Sequence, residues 1–399
     1  MTTYSSLLSY YQTNDFNPVL IELDNDEKWR LHFQKRENLY SHHLKIPLGL
    51  LRDKRILEFG CNSGENALVL ASVGAQLTLV EPNTDVYGRL YELFRQYGLQ
   101  RQIDNIVTNT IEDFNTDERF DVVIAEGFLN SIDNRDKALR KIAEFVRPGG
   151  FLIFSFDDRY GSLIEFVKQA ILYRACQLDG ITDMQCDTSL AMAERLFANS
   201  YGRLSASRSF QAWWKDQLVN PYFISHYMWS FQEVFHLLAQ NKMSYHASSP
   251  RWDMADHYRW YKDIENSDRN FDGILRQWRN KFLFILTGKP YSINIPAAAS
   301  NCCIERVIED CAGFVDSVSR FVLGYPNQAF NLEIPDSLRH YVATYAENDA
   351  IQLFDEAKEL LEAARSTNLE SIINVYHQSV ALNNTWGTAY HYISLQKQW

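Results

Sequence analysis

The stretch best suited to chemistry is ILEFGCNSGENA at residues 56–67, followed by VEPN at residues 80–83. A glycine turn at the end of a strand lets backbone approach a ligand closely, and the helix after it aims its N-terminal N–H groups at the same place. Gly60 and Gly64 supply such a turn. Two carboxylates flank it: Glu58 just before, and Glu81 at the end of the next apolar run. A dinucleotide-binding turn needs G-x-G-x-x-G, whose last glycine allows close helix–strand packing. Here the middle position is Asn62 and Glu65 follows Gly64, so dinucleotide binding fits badly.

The same residues resemble the motif of class I S-adenosylmethionine-dependent methyltransferases, an acid, any residue, then G-x-G-x-G. Asn62 stands for the middle glycine, and Asn is the next residue most tolerant of positive φ. The resemblance runs over residues 45–156 and resumes over 229–288, with FDVVIAEG and RPGGFLIFSF in the family's order. It implies S-adenosyl-L-methionine as cofactor and assigns roles to particular residues. The loop of Gly60, Asn62 and Gly64 would wrap the methionine portion, and Glu58 would help hold its ammonium. Glu81, with Pro82 after it, would accept hydrogen bonds from both ribose hydroxyls, since a carboxylate offers two acceptor oxygens to a vicinal diol. Thr110, Ile111 and Glu112 lie where the family reads the adenine edge, and at the position of Thr110 the family usually carries Asp. From the segment before the first strand, Arg36 or His43 would meet the cofactor carboxylate and Tyr40 would stack on the cofactor. Arg36 and His42 read equally as a solvated helix face.

Ligands of open α/β sheets bind outside the carboxyl ends of the strands. That rule brings Glu126 and Asn130, then Asp157, Asp158, Arg159 and Tyr160, toward the transferred methyl group. Methyl transfer is a direct displacement, so alignment supplies much of the rate, and a base is needed only if the acceptor still holds its proton. The candidate bases are Asp157, Glu126 and His226. Each has a plainer reading: Glu126 as a cofactor-lining residue, Asp157 as part of a loop turn, His226 as a packed histidine. No Cys/His spacing or other feature implies a metal.

Those residues need a scaffold of alternating strands and helices. Strand-like runs at 55–59, 76–83, 106–110, 120–127 and 151–156 alternate with helical patterns at 65–72, 86–97 and 137–146, which means βαβ units and a mostly parallel sheet. Beyond residue 156 the alternation breaks. MSYHASS and KFLFILTG then read as two closing strands, so the sheet is expected to end near Gly288. The expected fold is α/β: a Rossmann-like seven-stranded methyltransferase sheet with helical insertions and an all-α C-terminal domain. Its parts are a helical lid segment at 1–44 and a methyltransferase domain at 45–288 with insertions at 157–227 and 252–280. A linker at 289–301 and a helical domain at 302–399 follow. The last stretch, 369–395, has the small-and-aromatic spacing of a tetratricopeptide helix pair. The insertions are expected to stand over the sheet edge as a lid, with Trp213, Trp214, Tyr222, Trp252, Tyr258 and Trp260 lining or supporting an acceptor pocket.

Composition narrows the partners. With 39 basic against 50 acidic residues the net charge is −11, which repels a phosphate backbone and argues against nucleic acid. The start MTTYSSLLSYYQTNDF lacks the form of a signal peptide, and no unbroken apolar run reaches the roughly 18 residues a membrane span needs. Six cysteines without metal or disulfide spacing suit a reducing compartment, so the expected location is cytoplasmic. The expected function is transfer of a methyl group to an O or N atom of a small molecule, sugar or peptide end in bacterial-type biosynthesis. The alternatives are a protein or peptide methyltransferase that docks its substrate through residues 302–399, or a non-catalytic cofactor-binding partner. The same tail is a candidate surface for a homodimer or a protein partner.

Overall fold

A computed structural model describes residues 6–14, 23, 25–203, 209–252, 271–288, 300–346, 348–386 and 389–399. The chain forms two compact units, one of residues 4–156, 231–278 and 390–399, the other of 1–3, 157–230 and 279–389.

The first unit holds a seven-stranded sheet. Its strands are β1 (Arg55–Phe59), β2 (Gln76–Val80), β3 (Ile103–Val107), β4 (Phe120–Ala125), β5 (Val146–Asp157), β6 (Met243–Ser249) and β7 (Tyr390–Lys397). Their spatial order is β3-β2-β1-β4-β5-β7-β6. β1 to β5 pair in parallel, and β6 and β7 pair antiparallel. The helices packed with them include α1 (Leu7–Thr13), α2 (Asp26–Glu37), α3 (Glu65–Ser72), α4 (Tyr87–Gln96) and α5 (Arg135–Glu144).

Parallel strands covered on both faces read as continuous apolar runs, and β1 is buried from Ile56 onward. α4 turns Leu90, Leu93 and Phe94 inward, and α5 buries Ala138, Leu139, Ile142 and Ala143, each on one helical stripe. One core joins Ile56, Leu68, Leu79, Leu90, Phe94 and Ile124 with Tyr40 and Leu44 of the N-terminal segment. Register then places the chemistry. Phe59 lies beside Val80 on one side and Ala125 on the other, so Gly60, Glu81 and Glu126 leave the sheet together at one edge.

Two expectations about the sheet's far edge are corrected. KFLFILTG is not a strand: Phe282–Thr287 is a helix, and it belongs to the other unit. A short continuous apolar run does not discriminate strand from helix, and here the end chemistry decides. Gly288 adopts φ 67° as a left-handed cap whose N–H donates to the Phe284 carbonyl. The closing strand is instead β7, at the end of the tail expected to be wholly helical. Its burial alternates, with His391, Ile393 and Leu395 inside, as a period of two requires. The supposed tetratricopeptide pair is therefore Leu369–Gln378 and the short Val380–Asn383, followed by a strand.

The second unit is helical. Leu163–Leu178 is buried on all sides from Leu163 to Tyr173, as a central helix must be, and packs against Asp187–Tyr201, Ser300–Leu323 and Asn348–Arg365. The first insertion and most of the tail are thus one body. Trp213 lies in an aromatic cluster, 5.1 Å from Tyr201 and 5.2 Å from Trp386 between ring centroids. Trp214 and Tyr222 are buried too, so these side chains pack the helical unit. Trp252, in the sheet unit, is buried against Phe231 and His391. Tyr258, Trp260 and most of residues 252–280 and 289–301 lie outside the described residues.

Candidate functional site

The site begins where β1 ends. Gly60 takes φ 68°, Asn62 φ 50° and Gly64 φ 88°, a loop of left-handed turns that explains the residue types at all three positions. A Cβ on Gly60 would stand 2.5 Å from the Phe128 ring, so this glycine also serves close packing. Gly64 opens α3, whose first N–H groups therefore face the loop.

Glu81 clamps this loop. Its Oε2 accepts the Asn62 N–H at 2.8 Å and its Oε1 accepts the Asn83 N–H at 2.9 Å. Burial raises its pKa, and the two N–H groups oppose the rise. Each oxygen keeps a further lone pair for a ligand. Pro82 follows, and the Tyr87 hydroxyl braces the turn by donating to the Glu81 carbonyl.

Glu58 sits deeper, and its Oε2 has no hydrogen-bond partner among the described residues. Burial, aided by the negative charge of Glu126, pushes its pKa up to about 8, against the pull of Arg36. An orphaned buried carboxylate oxygen is costly in isolation and is satisfied by a cationic donor.

Across the edge, Arg36 of α2 forms a fork with Glu126: Nη1 to Oε2 at 2.9 Å and Nη2 to Oε1 at 2.7 Å. The Tyr40 hydroxyl joins at 3.2 Å from Arg36 and 3.3 Å from Glu126, and Asn66 of α3 donates to Glu126 at 3.4 Å. Arg36 is buried, not part of a solvated face. The i, i+4 spacing of Arg36 and Tyr40 across the helical segment makes their meeting possible. His32, one turn earlier, reaches the Glu65 carbonyl at 3.1 Å, and burial pushes its pKa down to about 4.

Glu58, Gly60, Asn62, Gly64 and Glu81 therefore come together with Arg36, Tyr40 and Glu126 along one sheet edge. The residues expected at the adenine are less engaged. Thr110 Oγ1 bonds Asp113, Ile111 is buried, and Glu112 is exposed. Asp157 ends β5 and, like His226, belongs to the helical unit. There Asp158 caps a turn, its Oδ1 accepting the N–H groups of Tyr160 at 2.9 Å and Gly161 at 3.0 Å. His226 lies exposed in the turn Ser225–Tyr227 rather than packed in a helix. Four participants escaped the sequence reading: Asn66, Ser155, Tyr390 and Tyr392. Ser155 Oγ accepts the Gly127 N–H at 2.9 Å and pairs with the Tyr390 hydroxyl at 2.8 Å. A lone polar residue within FLIFSF was the available signal for Ser155. For the tyrosines it was the alternation of YHYISL.

Residues 32–220 match a family model described as a methyltransferase domain. Among curated proteins, the chain is 29% identical over 109 residues to a ubiquinone biosynthesis O-methyltransferase of Shewanella halifaxensis, a match covering 27% of this chain and 44% of that protein. It is 29% identical over 111 residues to the protein of the same name from Coxiella burnetii, covering 27% and 46%. The chain thus spans about half the length of the curated relatives it matches. A solved structure, the N-methyltransferase NodS from Bradyrhizobium japonicum with S-adenosyl-L-homocysteine, is 20% identical over 37% of this chain and 74% of that one, with a TM-score of 0.29. At that score the likeness says nothing of this chain's chemistry.

Proposed function

We propose that this chain is a class I S-adenosylmethionine-dependent methyltransferase and that it transfers a methyl group to an O or N atom of a small molecule, sugar or peptide end. The observation that carries the reading is the unpartnered Glu58 oxygen beside a glycine loop held open by Glu81. The residues fit S-adenosylmethionine. Glu58 is placed to take an ammonium, and Glu81 has one spare lone pair on each oxygen for a ribose diol. Arg36, paired to Glu126 and acting electrostatically on Glu58, is the buried cation at this edge.

When bound, that cofactor supplies an electrophilic methyl group on a sulfonium. The chain's own contribution is to orient and to exclude water. The loop of Gly60, Asn62 and Gly64 lets backbone lie against the ligand, and Phe128 closes over Gly60. Alignment at the strand ends then supplies most of what a displacement requires. Of the three candidate bases, Glu126 has both oxygens occupied by Arg36, which suits a fixed lining residue better than a proton acceptor. Asp157, the last residue of β5, is the proposed base for an acceptor that still holds its proton. The names of the curated relatives favour an oxygen acceptor over nitrogen.

The test separates turnover from mere cofactor binding. Purified full-length protein is incubated with methyl-labelled S-adenosylmethionine and a small-metabolite extract, and label is followed into acceptors. Transfer that requires the protein and fails in Glu81→Ala supports the reading. Tight cofactor binding with no transfer into any small-molecule, protein or peptide fraction would instead favour a non-catalytic partner protein.

A further inference from the structure

Between Glu126 and Phe128 the chain turns on Gly127, which takes φ 85° and lies exposed at the sheet edge. A glycine loses more conformational freedom on being fixed than any other residue, so holding it in place needs a partner. Its N–H finds one in the buried Ser155 Oγ of β5, at 2.9 Å. Ser155 Oγ lies in turn 2.8 Å from the Tyr390 hydroxyl, within hydrogen-bond reach. A Cβ at position 127 would stand 3.2 Å from that same hydroxyl, so the glycine leaves the phenol its place.

The phenol is delivered by the C-terminal strand. Tyr390 opens β7, and its ring lies 5.1 Å from that of Tyr392, on the same face of the strand. Pairing with β6, from Met243↔Lys397 to Ser249↔Tyr392, fixes the register of β7. The buried Ser394 hydroxyl adds a bond to the Leu44 carbonyl at 3.0 Å. On one side of Gly127, Glu126 already has its anchors in Arg36 and Asn66. On the other, the Phe128 ring lies against Gly60, where a Cβ would meet it at 2.5 Å. Gly127 is thus the joint between a locked carboxylate and a ring over the glycine loop, and a tether on its N–H bears on that ring.

We infer that Ser155 and Tyr390 are positioning residues: together they fix Gly127 and so hold the Phe128 ring over the loop of Gly60, Asn62 and Gly64. This rests on the proposed reading of that loop as an S-adenosylmethionine site. Ser155 holds Gly127 directly. Tyr390 acts through Ser155, since a serine hydroxyl rotates to suit its partners and a second partner settles its direction. The C-terminal strand therefore bears on cofactor affinity through the turn that follows β4.

The experiment is calorimetry of the full chain with S-adenosylhomocysteine as probe. Ser155→Ala is expected to weaken binding about fivefold, the scale of one neutral hydrogen bond, and Tyr390→Phe to weaken it less. Adding Tyr390→Phe to Ser155→Ala is expected to cost nothing further, because the two residues act in series. In a Phe128→Ala background, Ser155→Ala is expected to lose most of its effect, since the ring through which it acts is gone. Tyr390→Phe keeps the ring and removes one hydroxyl, and it takes the place of Ser155→Ala in that background should the alanine variant fail to fold. Unaltered affinity in the single variants, or the same loss with and without the Phe128 ring, would show a merely structural role and overturn the inference. A wild-type chain that does not bind S-adenosylhomocysteine overturns the reading of the site, and this inference with it.

Discussion

Burial holds the Glu58 carboxyl protonated up to about pH 8. An ammonium arriving at its unpartnered oxygen favours the ionised form, so binding must release a proton wherever Glu58 was protonated beforehand. Affinity for S-adenosylhomocysteine is accordingly expected to rise with pH and level off above about 8. Calorimetry at neutral pH in buffers of different ionisation heat reads this directly: proton release by the wild type, none by Glu58→Gln. Affinity that stays flat between mildly acidic pH and pH 8 would contradict it. The same shift acts oppositely on the ligand-free fold. A pKa raised from 4.5 to about 8 contributes stability that is full below the lower value and lost as pH rises through the upper one. Glu58→Gln should therefore unfold at higher temperature than the wild type in alkaline buffer. Glu58, Gly60, Gly64 and Glu81 could be read from the sequence because one turn and one strand fix their relation. The partner of Arg36 could not, since Glu126 is 90 residues away and only strand register brings it near.

β7 and the helix Phe282–Thr287 carry the clearest divergence between pattern and fold. Both are short: KFLFILTG is a continuous apolar run that reads as a strand, and YHYISLQK follows segments whose helical period invites extension through it. The alternation in YHYISLQK was visible, but pairing with β6, where Met243 meets Lys397 and Ser249 meets Tyr392, is a tertiary fact. The parallel strands β1, β2 and β4 and helices α3 and α4 were legible because each carries its own apolar pattern and stops within two residues of a glycine or proline. The aromatics of the helical unit were legible as large side chains, not as to what they touch. Trp213 is buried among Phe197, Tyr201, Phe210 and Trp386. Trp213→Ala is thus expected to cost about 3–5 kcal/mol of stability, as deletion of a buried large aromatic does. Denaturant unfolding checks this. A variant with wild-type stability that has lost only methyl transfer would show Trp213 to be a substrate contact instead.

For the molecule entire, an excess of acids over bases, 50 to 39, opposes a nucleic-acid substrate, and no helix among the described residues is long and apolar enough to cross a membrane. The chain interleaves its two units, leaving the sheet after residue 156 and returning for good only at residue 390. That arrangement makes the last ten residues part of the first unit, which no reading of successive domains along the sequence would propose. The proposed methyl transfer rests on the edge where Glu58, the glycine loop and Glu81 meet. The most direct test is calorimetry of the full chain with S-adenosylhomocysteine and with NAD. The expected result is roughly micromolar binding of S-adenosylhomocysteine, none of NAD, and a loss on the order of 100-fold in Glu81→Ala from two charge-assisted hydrogen bonds. Unchanged affinity in Glu81→Ala, or saturable NAD binding displaced by S-adenosylhomocysteine, would contradict it.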